Sequence, residues 1–213
     1  MEANGGAPFS EPFPALSGVT LLGRAANDDI TASDNGSNVS GGDGNDDLVG
    51  GLAGDFFPDF APGNDTVDGN GEPPGGADSI SYFPGGGAGV TVDLAITGPQ
   101  DTGAGGPDTI TDVEDLFGTI HDDVLLGTNG DNWLSGSFRP NTEASGDDVL
   151  IGRGGNDQLA GHTGNDTASY EQGSAGGVTV NLGTTVPSKH RGSGSGHPAR
   201  RHRRRRGWER HGA

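Results

Sequence analysis

Aspartates recur at nine-residue intervals in this sequence, each within a glycine-rich stretch. Between Gly152 and Tyr170 the pattern occurs twice, with Asp157 and Asp166 at equivalent positions and one sizeable apolar residue, Leu159, between them. Carboxylates stacked by such a repeat would repel one another unless a cation neutralised them. The chemistry that this spacing predicts is therefore metal binding by oxygen ligands.

The acids belong to a nonapeptide of the form GGxGxDxUx, in which U is a large apolar residue. Four such units follow one another from Gly23 to Pro58, and the third, GGDGNDDLV, matches every specified position. A second array starts at Asp123, is interrupted by SFRPNTEAS, and ends with GRGGNDQLA and GHTGNDTAS. Weaker units surround Asp65 and Asp78. These repeats predict a solenoid rather than a globular core.

Each unit divides into six turn residues and a three-residue strand whose middle side chain points inward. In the first array this middle position is apolar: Ile30, Val39, Leu48 and Phe57. Two units complete one coil, so Asp28 should stack on Asp46, and Asp148 on Asp166. Neighbouring strands lie about 4.8 Å apart, which sets the separation expected for these stacked acids.

An ion between two stacked turns would reach oxygens on both, because twice a calcium–oxygen bond of about 2.4 Å is about 4.8 Å. Magnesium demands shorter bonds and octahedral geometry, and zinc prefers nitrogen or sulfur ligands that the array lacks. The residues therefore predict several calcium ions (Ca²⁺) as the cofactor. The competing interpretation is a glycine-rich acidic linker that binds no metal.

Composition supports an ion-ordered chain and argues against several other classes of protein. Glycine contributes 43 of 213 residues, whereas Leu, Ile, Val and Phe together contribute only 39, which is typical of chains without a large core. The net charge of −18 repels nucleic acid and attracts cations. The sequence lacks cysteine and any long apolar run, so we expect neither disulfides nor a membrane span.

Catalytic signatures are missing from the sequence. It contains no HExxH, GxSxG or P-loop motif, so we expect a protein that is not an enzyme. His162 is the second residue of a turn and is expected to be solvated, and Trp133 is expected to serve in packing.

The quoted units resemble those of the repeats-in-toxin (RTX, haemolysin-type calcium-binding) family over much of residues 19–182. The resemblance implies an all-β fold, a parallel β-roll (β-helix solenoid) of calcium-binding nonapeptide turns with loop insertions. In that family the aspartate at position six and the turn carbonyls bind calcium. Position six corresponds here to Asp28, Asp46, Asp55, Asp123, Asp148, Asp157 and Asp166. The matching turn residues are Gly41, Asp43, Gly152, Gly154, Gly161 and Thr163. Ser37 and Asn132 depart from the pattern, which argues against sites in those turns.

The resemblance also implies a function and a location. Family members leave the cell through a type I secretion apparatus and fold outside on meeting calcium. The sequence is thus interpreted as a secreted or cell-surface, non-catalytic calcium-binding module, either a monomer or part of a larger exoprotein. Two alternatives stay open, namely the calcium-binding and secretion domain of a secreted protease or lipase, and a structural adhesin segment.

A longer repeat divides the chain into two modules. The segment ADSISY…GVTVDL, from Ala77 to Leu94, returns as NDTASY…GVTVNL from Asn165 to Leu182. We expect a disordered N-terminal segment over 1–18, a first β-roll module over 19–112, a second over 113–187, and a basic disordered tail over 188–213. Nine of the 12 basic residues lie in that tail, which is interpreted either as the next repeat read out of frame or as a genuine basic tail.

Overall fold

A computed structural model describes residues 18–58, 61–71, 76–83, 87–103, 105–138 and 146–169, together with the backbone of four two-residue strands further on. The described residues form strands and turns without a helix, and within them no helical segment has the length and apolar character that a membrane crossing needs. The strands are β1 (Val19–Leu22), β2 (Asp29–Thr31), β3 (Ser37–Ser40), β4 (Asp47–Val49), β5 (Phe56–Phe57), β6 (Thr66–Asp68), β7 (Ser79–Ser81), β8 (Thr91–Asp93), β9 (Gln100–Asp101), β10 (Pro107–Thr111), β11 (Asp115–Phe117), β12 (Val124–Leu126), β13 (Trp133–Ser135), β14 (Val149–Ile151), β15 (Gln158–Ala160), β16 (Thr167–Ser169), β17 (Gly176–Gly177), β18 (Ser188–Lys189), β19 (Ser193–Gly194) and β20 (His202–Arg203).

The strands form facing sheets between which the chain alternates. One sheet has the order β1-β3-β5-β7-β11-β13-β15-β18, and the strands opposite fall into two sheets, β2-β4-β6-β10-β9 and β20-β16-β14-β12-β8. From β1 to β15 and from β8 to β16, neighbouring strands are parallel. A short pair, β17 and β19, stands apart from these sheets. The predicted all-β fold, a parallel β-roll, is confirmed.

A narrow apolar core runs along the axis of the roll, as the nonapeptide pattern predicts. The middle residue of each strand lies in register with that of the next coil, as in Ile30, Leu48 and Val67. Facing them is a second buried row: Val39, Phe57, Ile80, Leu116, Leu134 and Leu159. Burying each such side chain contributes about 1.5–3 kcal/mol, so one apolar residue per strand supplies most of the core.

The first sheet continues across the expected boundary between the two modules, because β7 pairs in parallel with β11. The division into residues 19–112 and 113–187 stays a prediction. The expected disorder over 1–18 and 188–213 concerns residues that lie almost entirely outside the described ones. The segment GVTVNL also lies almost entirely outside them.

Aromatic side chains cluster on the outer face of the first sheet. Phe56 stacks on Phe138 with ring centroids 5.2 Å apart, and Phe117 meets the edge of Trp133 at 5.0 Å. Trp133 is 39% exposed. Trp133 therefore packs against its neighbours, as predicted.

Candidate metal centre

Position-six side chains form lanes along the corners of the roll. In what we call the first lane, each carboxylate accepts a hydrogen bond from the backbone N–H of the lane residue in the preceding coil. Asp28 N donates to Asp46 Oδ1 at 2.9 Å, Asp46 N to Asp65 Oδ1 at 2.8 Å, and Asp65 N to Asp108 Oδ1 at 3.1 Å. The predicted stacking of Asp28 on Asp46 is confirmed, and the strand pairing of their coils sets its spacing.

Two further lanes follow the same rule. In the second lane, Ser37 N donates to Asp55 Oδ1 and Asp55 N to Asp78 Oδ1, both at 2.6 Å, and Asn132 N donates to Asp157 Oδ1 at 3.1 Å. The second lane also contains Glu114, whose carboxylate accepts from Asp78 N at 2.9 Å. The third lane consists of Asp123, Asp148 and Asp166. Its bonds are Asp123 N to Asp148 Oδ1 at 3.0 Å and Asp148 N to Asp166 Oδ1 at 3.2 Å, which confirms the predicted pair at its C-terminal end.

An outer lane at position five runs beside the inner ones and bonds in the opposite direction. Here the side chain accepts from the following coil: Asn45 N donates to Asn27 Oδ1 at 2.9 Å and Asn165 N to Asp147 Oδ1 at 2.7 Å. These side chains are exposed. Where both lanes are present, adjacent coils are thus joined twice, by bonds of opposite polarity.

Position-one glycines leave small cradles lined by oxygen atoms. A Cβ added at Gly50 would lie 2.6 Å from the carbonyl oxygen of Gly69 and 3.0 Å from Asp55 Oδ2. At Gly136 it would overlap Asp148 Oδ2 and lie 3.2 Å from the carbonyl oxygen of Gly161. A side chain would fill this space. Glycine therefore keeps a carboxylate oxygen of its own turn and a carbonyl oxygen of the next coil side by side.

Asp148 is the carboxylate in this structure that most needs a cation. Its side chain is fully buried, Oδ1 accepts one hydrogen bond from Asp123 N, and Oδ2 has no hydrogen-bond partner. Burial, followed by the nearby charges of Asp123, Asp166 and Asp122, raises the pKa of Asp148 to about 8. A bare buried carboxylate is costly, so Asp148 must take up a proton or a cation.

Other lane carboxyls are perturbed in the same direction. Burial raises the pKa of Asp157 to about 7 and that of Asp65 to about 6, and the charge of a neighbouring carboxylate adds to the effect in both cases. Burial also raises the pKa values of Asp46, Asp55, Asp108 and Asp123. The inner lanes thus favour neutralisation along much of the roll.

The donor set fits a hard cation that accepts mixed oxygen ligands. Within the described ranges, no three acidic or histidine side chains converge closely enough to hold a metal alone, so an ion here needs carbonyl oxygens beside the carboxylates. The Gly136 cradle offers that combination, with Asp148 Oδ2 next to Gly161 O. Calcium takes carboxylate and backbone oxygens together in flexible geometry. Asp123, Asp148 and Asp166, with the turn carbonyls, are the residues that would hold it.

Comparison with known protein families agrees with this geometry. The model of the RTX calcium-binding nonapeptide repeat matches residues 117–138 and 144–174, in four copies. The chain therefore contains RTX calcium-binding nonapeptide repeats in these two segments. RTX nonapeptide repeats bind calcium ions, so both the predicted family and the predicted cofactor are confirmed. No curated protein matches the chain.

The structure distributes the predicted site residues over all three lanes. Asp28 and Asp46 lie in the first lane, Asp55 and Asp157 in the second, and the others in the third: Asp123, Asp148 and Asp166. Among the turn residues, Gly41, Gly152 and Gly161 each lie against the carboxylate of their own unit, so that a Cβ on any of them would overlap it. The individual ligand roles stay predictions.

The other three predicted turn residues are Asp43, Gly154 and Thr163. The side chain of Asp43 is exposed, and its carbonyl accepts from Ala26 N at 2.8 Å. Gly154 packs against Asn129, whose carbonyl oxygen would lie 3.2 Å from a Cβ added at Gly154, and Thr163 is half-buried. Of the two departures from the pattern, Asn132 differs from aspartate because its Nδ2 donates to the carbonyl of Glu114 at 2.8 Å.

Sequence reasoning missed several members of the lanes. Asp65 and Asp78 were visible only as weak units, while Asp108 and Glu114 lie in no recognisable nonapeptide. Asp108 accepts from Thr102 Oγ1 at 2.6 Å as well as from Asp65 N. The available signal was an acid just before an apolar strand residue, as in Asp108-Thr-Ile. His162 is also placed differently from the prediction, because it is half-buried and its Nε2 lies 2.8 Å from Ser135 Oγ.

Proposed function

We propose that this protein is a secreted, non-catalytic module that binds several calcium ions and folds on binding them outside the cell. The observation that carries the proposal is Asp148, a fully buried carboxylate with one oxygen lacking a hydrogen-bond partner, stacked between Asp123 and Asp166. Bound calcium would neutralise these stacked carboxylates and add ligand bonds between successive coils. Ion binding and folding are then one process.

The non-catalytic part of the proposal is supported by the contact between Ser135 and His162. Ser135 Oγ lies 2.8 Å from His162 Nε2 and donates to the carbonyl of Ser137, also at 2.8 Å. Ser135 is only 1% exposed, so a substrate carbonyl would not reach its hydroxyl. Burial lowers the pKa of His162, which fits a neutral packing role.

Secretion is supported by charge and by calcium supply. A chain with net charge −18 and few apolar residues stays open without cations, and sites of the extracellular class bind at about 0.1–1 mM calcium. Cytosolic calcium would leave such sites empty, so the chain would be exported unfolded. A type I apparatus is the expected route, as the family resemblance implies.

The test is a calcium titration of the full chain followed by far-UV circular dichroism, with magnesium as the control cation. We expect a transition from coil to strand signal that calcium alone produces and chelator reverses. The matched variant Asp148→Asn keeps the shape of the side chain but removes its charge, and should shift the transition to higher calcium. A titration without any change up to about 10 mM calcium would refute the proposal.

A further inference from the structure

Arg153 occupies a turn position whose backbone suits glycine. It is the second residue of the unit that begins at Gly152, and its φ of 65° lies in the left-handed region that costs non-glycine residues about 1 kcal/mol or more. The consensus places glycine at this position. An arginine here imposes strain, so Arg153 stabilises the roll only if its side-chain contacts outweigh that strain.

That side chain reaches back across two coils. Arg153 Nη1 lies 2.5 Å from Asp93 Oδ1, and Nη2 lies 2.6 Å from Asp93 Oδ2. Nη1 also donates to the carbonyl of Gly127 at 2.5 Å. The arginine and aspartate side chains are only 14% and 19% exposed. This is a bidentate, largely buried ion pair with a third oxygen ligand, a stronger arrangement than a surface salt bridge.

The three partners belong to three successive coils. Asp93 ends β8, Gly127 follows β12, and Arg153 lies just beyond β14, and these strands are parallel neighbours. At the neighbouring corner, the position-one carbonyl of Gly161 lies beside a carboxylate oxygen of the preceding coil. At Gly127 the preceding coil continues as Leu94 and Ala95 instead of a nonapeptide turn, and the carbonyl meets the guanidinium.

The oxygen atoms around the guanidinium are of the kind that a calcium ion would use: two from a carboxylate and one from a backbone carbonyl. We propose that Arg153 is the resident cation of this gap, holding the coils of β8, β12 and β14 together so that no calcium ion binds there. The inference goes beyond the proposed function, because it assigns a place in the roll where cohesion does not depend on metal.

The surroundings agree with a fixed positive charge at this point. Although burial raises the pKa of Asp93, hydrogen bonds from Arg153 and Ala95 N lower it below 3.8, so the carboxylate is ionised. In the same corner the lane residue is Asn132, whose amide donates to the Glu114 carbonyl. That amide supplies a donor where the repeat would have placed a carboxylate.

Thermal unfolding of the full chain, with excess calcium and with chelator, tests the proposal. Arg153→Gly removes the clamp and relieves the backbone strain, and Arg153→Gln removes the charge and the bidentate contact but keeps a polar side chain. Ala26→Gly is the matched control, since Ala26 has a φ of 123° and is exposed. We expect both Arg153 variants to unfold at least about 3 °C lower in each condition where the wild type is folded, while Ala26→Gly unfolds at the wild-type temperature or above. Asp93→Asn should cause no further loss in the Arg153→Gln background.

Two results would overturn the proposal. One is an Arg153→Gly variant as stable as the wild type or more stable, in step with Ala26→Gly. The other is the loss of one bound calcium from Arg153→Gln in isothermal titration calorimetry, which would show that Arg153 supports a calcium site instead of replacing one. A wild type that unfolds cooperatively yet binds no calcium would refute the proposed function alone, and a wild type with no cooperative unfolding in either condition would refute the clamp as well.

Discussion

The N-terminal and C-terminal turns of the roll are built from the same nonapeptide but are held together differently. Near the N-terminus, neighbouring turns bond through their backbones: Ala26 N donates to Asp43 O at 2.8 Å, and Asp43 N to Arg24 O at 2.7 Å. Near the C-terminus, Asp148 is left with a buried oxygen that no hydrogen bond satisfies. A repeat can thus close partly on itself or require an ion, depending on how its turns meet.

How closely a turn matches the repeat consensus does not predict which of these two ways holds it. GGDGNDDLV, from Gly41 to Val49, matches the consensus in full, whereas the family model matches residues 117–138 and 144–174. Asp148 and Asp157, whose pKa values are raised to about 8 and about 7, lie within the matched segment 144–174, whereas Asp65, with a pKa of about 6, lies outside it. We therefore expect calcium to matter more for the C-terminal coils.

Acidity is expected to have the largest effect on the ion-free protein. Because the pKa of Asp148 rises from 3.8 unfolded to about 8 folded, the folded state binds more protons between these values, and stability falls as the pH rises through them. For Asp65 this fall in stability ends at about pH 6. Because protons can neutralise these carboxyls in place of calcium, far-UV circular dichroism in chelator should show strand signal at acid pH that is lost as the pH rises towards 8. Each such carboxyl removes up to about 1.4 kcal/mol of stability per pH unit within its window.

Calcium should reverse this trend, since it competes with protons for the same carboxylates. Calcium affinity should therefore rise up to about pH 8, and Asp148→Asn should flatten the dependence above pH 6. If the calcium affinity of the wild type stopped rising at about pH 6, the expected difference between the two regions would be contradicted.

Gly136→Ala should reduce stability nearly as much as the change in pH. The added methyl group would overlap Asp148 Oδ2, which forces the turn open and obstructs the cradle. We expect a loss of about 1–3 kcal/mol in urea unfolding, with weaker calcium binding. Gly98→Ala is the control, because a Cβ there meets nothing within 4 Å, and equal losses in the two variants would argue against the cradle.

Removing one charge from each region should distinguish them directly. Asp148→Asn is expected to weaken calcium binding about tenfold, or about 1.4 kcal/mol, while leaving the ion-free chain at least as stable as the wild type. Asp46→Asn should have a smaller effect on calcium affinity, because backbone bonds already join its turn to the preceding one. Calorimetric titration measures both, and a larger loss in Asp46→Asn would reverse the assignment.

The smallest effect is expected where the two regions touch through side chains. Phe138, from the C-terminal half, stacks on Phe56 of the N-terminal array, so Phe138→Ala should cost about 1 kcal/mol. Leu52→Ala is the control, since Leu52 is 50% exposed. Urea unfolding with excess calcium measures both, and an unchanged Phe138→Ala would mean that the aromatic cluster does not couple the halves.

Much of the fold and part of the site could be predicted from the sequence. The spacing of 18 residues placed Asp28 on Asp46 and Asp148 on Asp166, because unbroken repeats keep strand pairing and residue number in step. The lanes through Asp78 and Asp108 could not be found in this way, since the separations of their bonded residues are 23 and 43 residues. Strand pairing restores the register there after each loop.

The contact between Arg153 and Asp93 lay further out of reach. The two residues are 60 positions apart, and neither the repeat period nor local charge pattern connects them. Asp93 was visible only as part of the strand VTVDL. The available signal was the position of Arg153, because the repeat consensus has glycine there.

The tolerance of the inner lanes for unequal loops has a practical consequence. Successive lane residues stay bonded whether 18, 19, 23 or 25 residues separate them, so the corner at each turn is indifferent to the length of chain that leaves and rejoins the roll. Foreign peptides could therefore be displayed at the natural interruption between Phe138 and Gly146 without shifting the coils on either side. Strand pairing sets the spacing of the coils, and the loops that connect them can be exchanged.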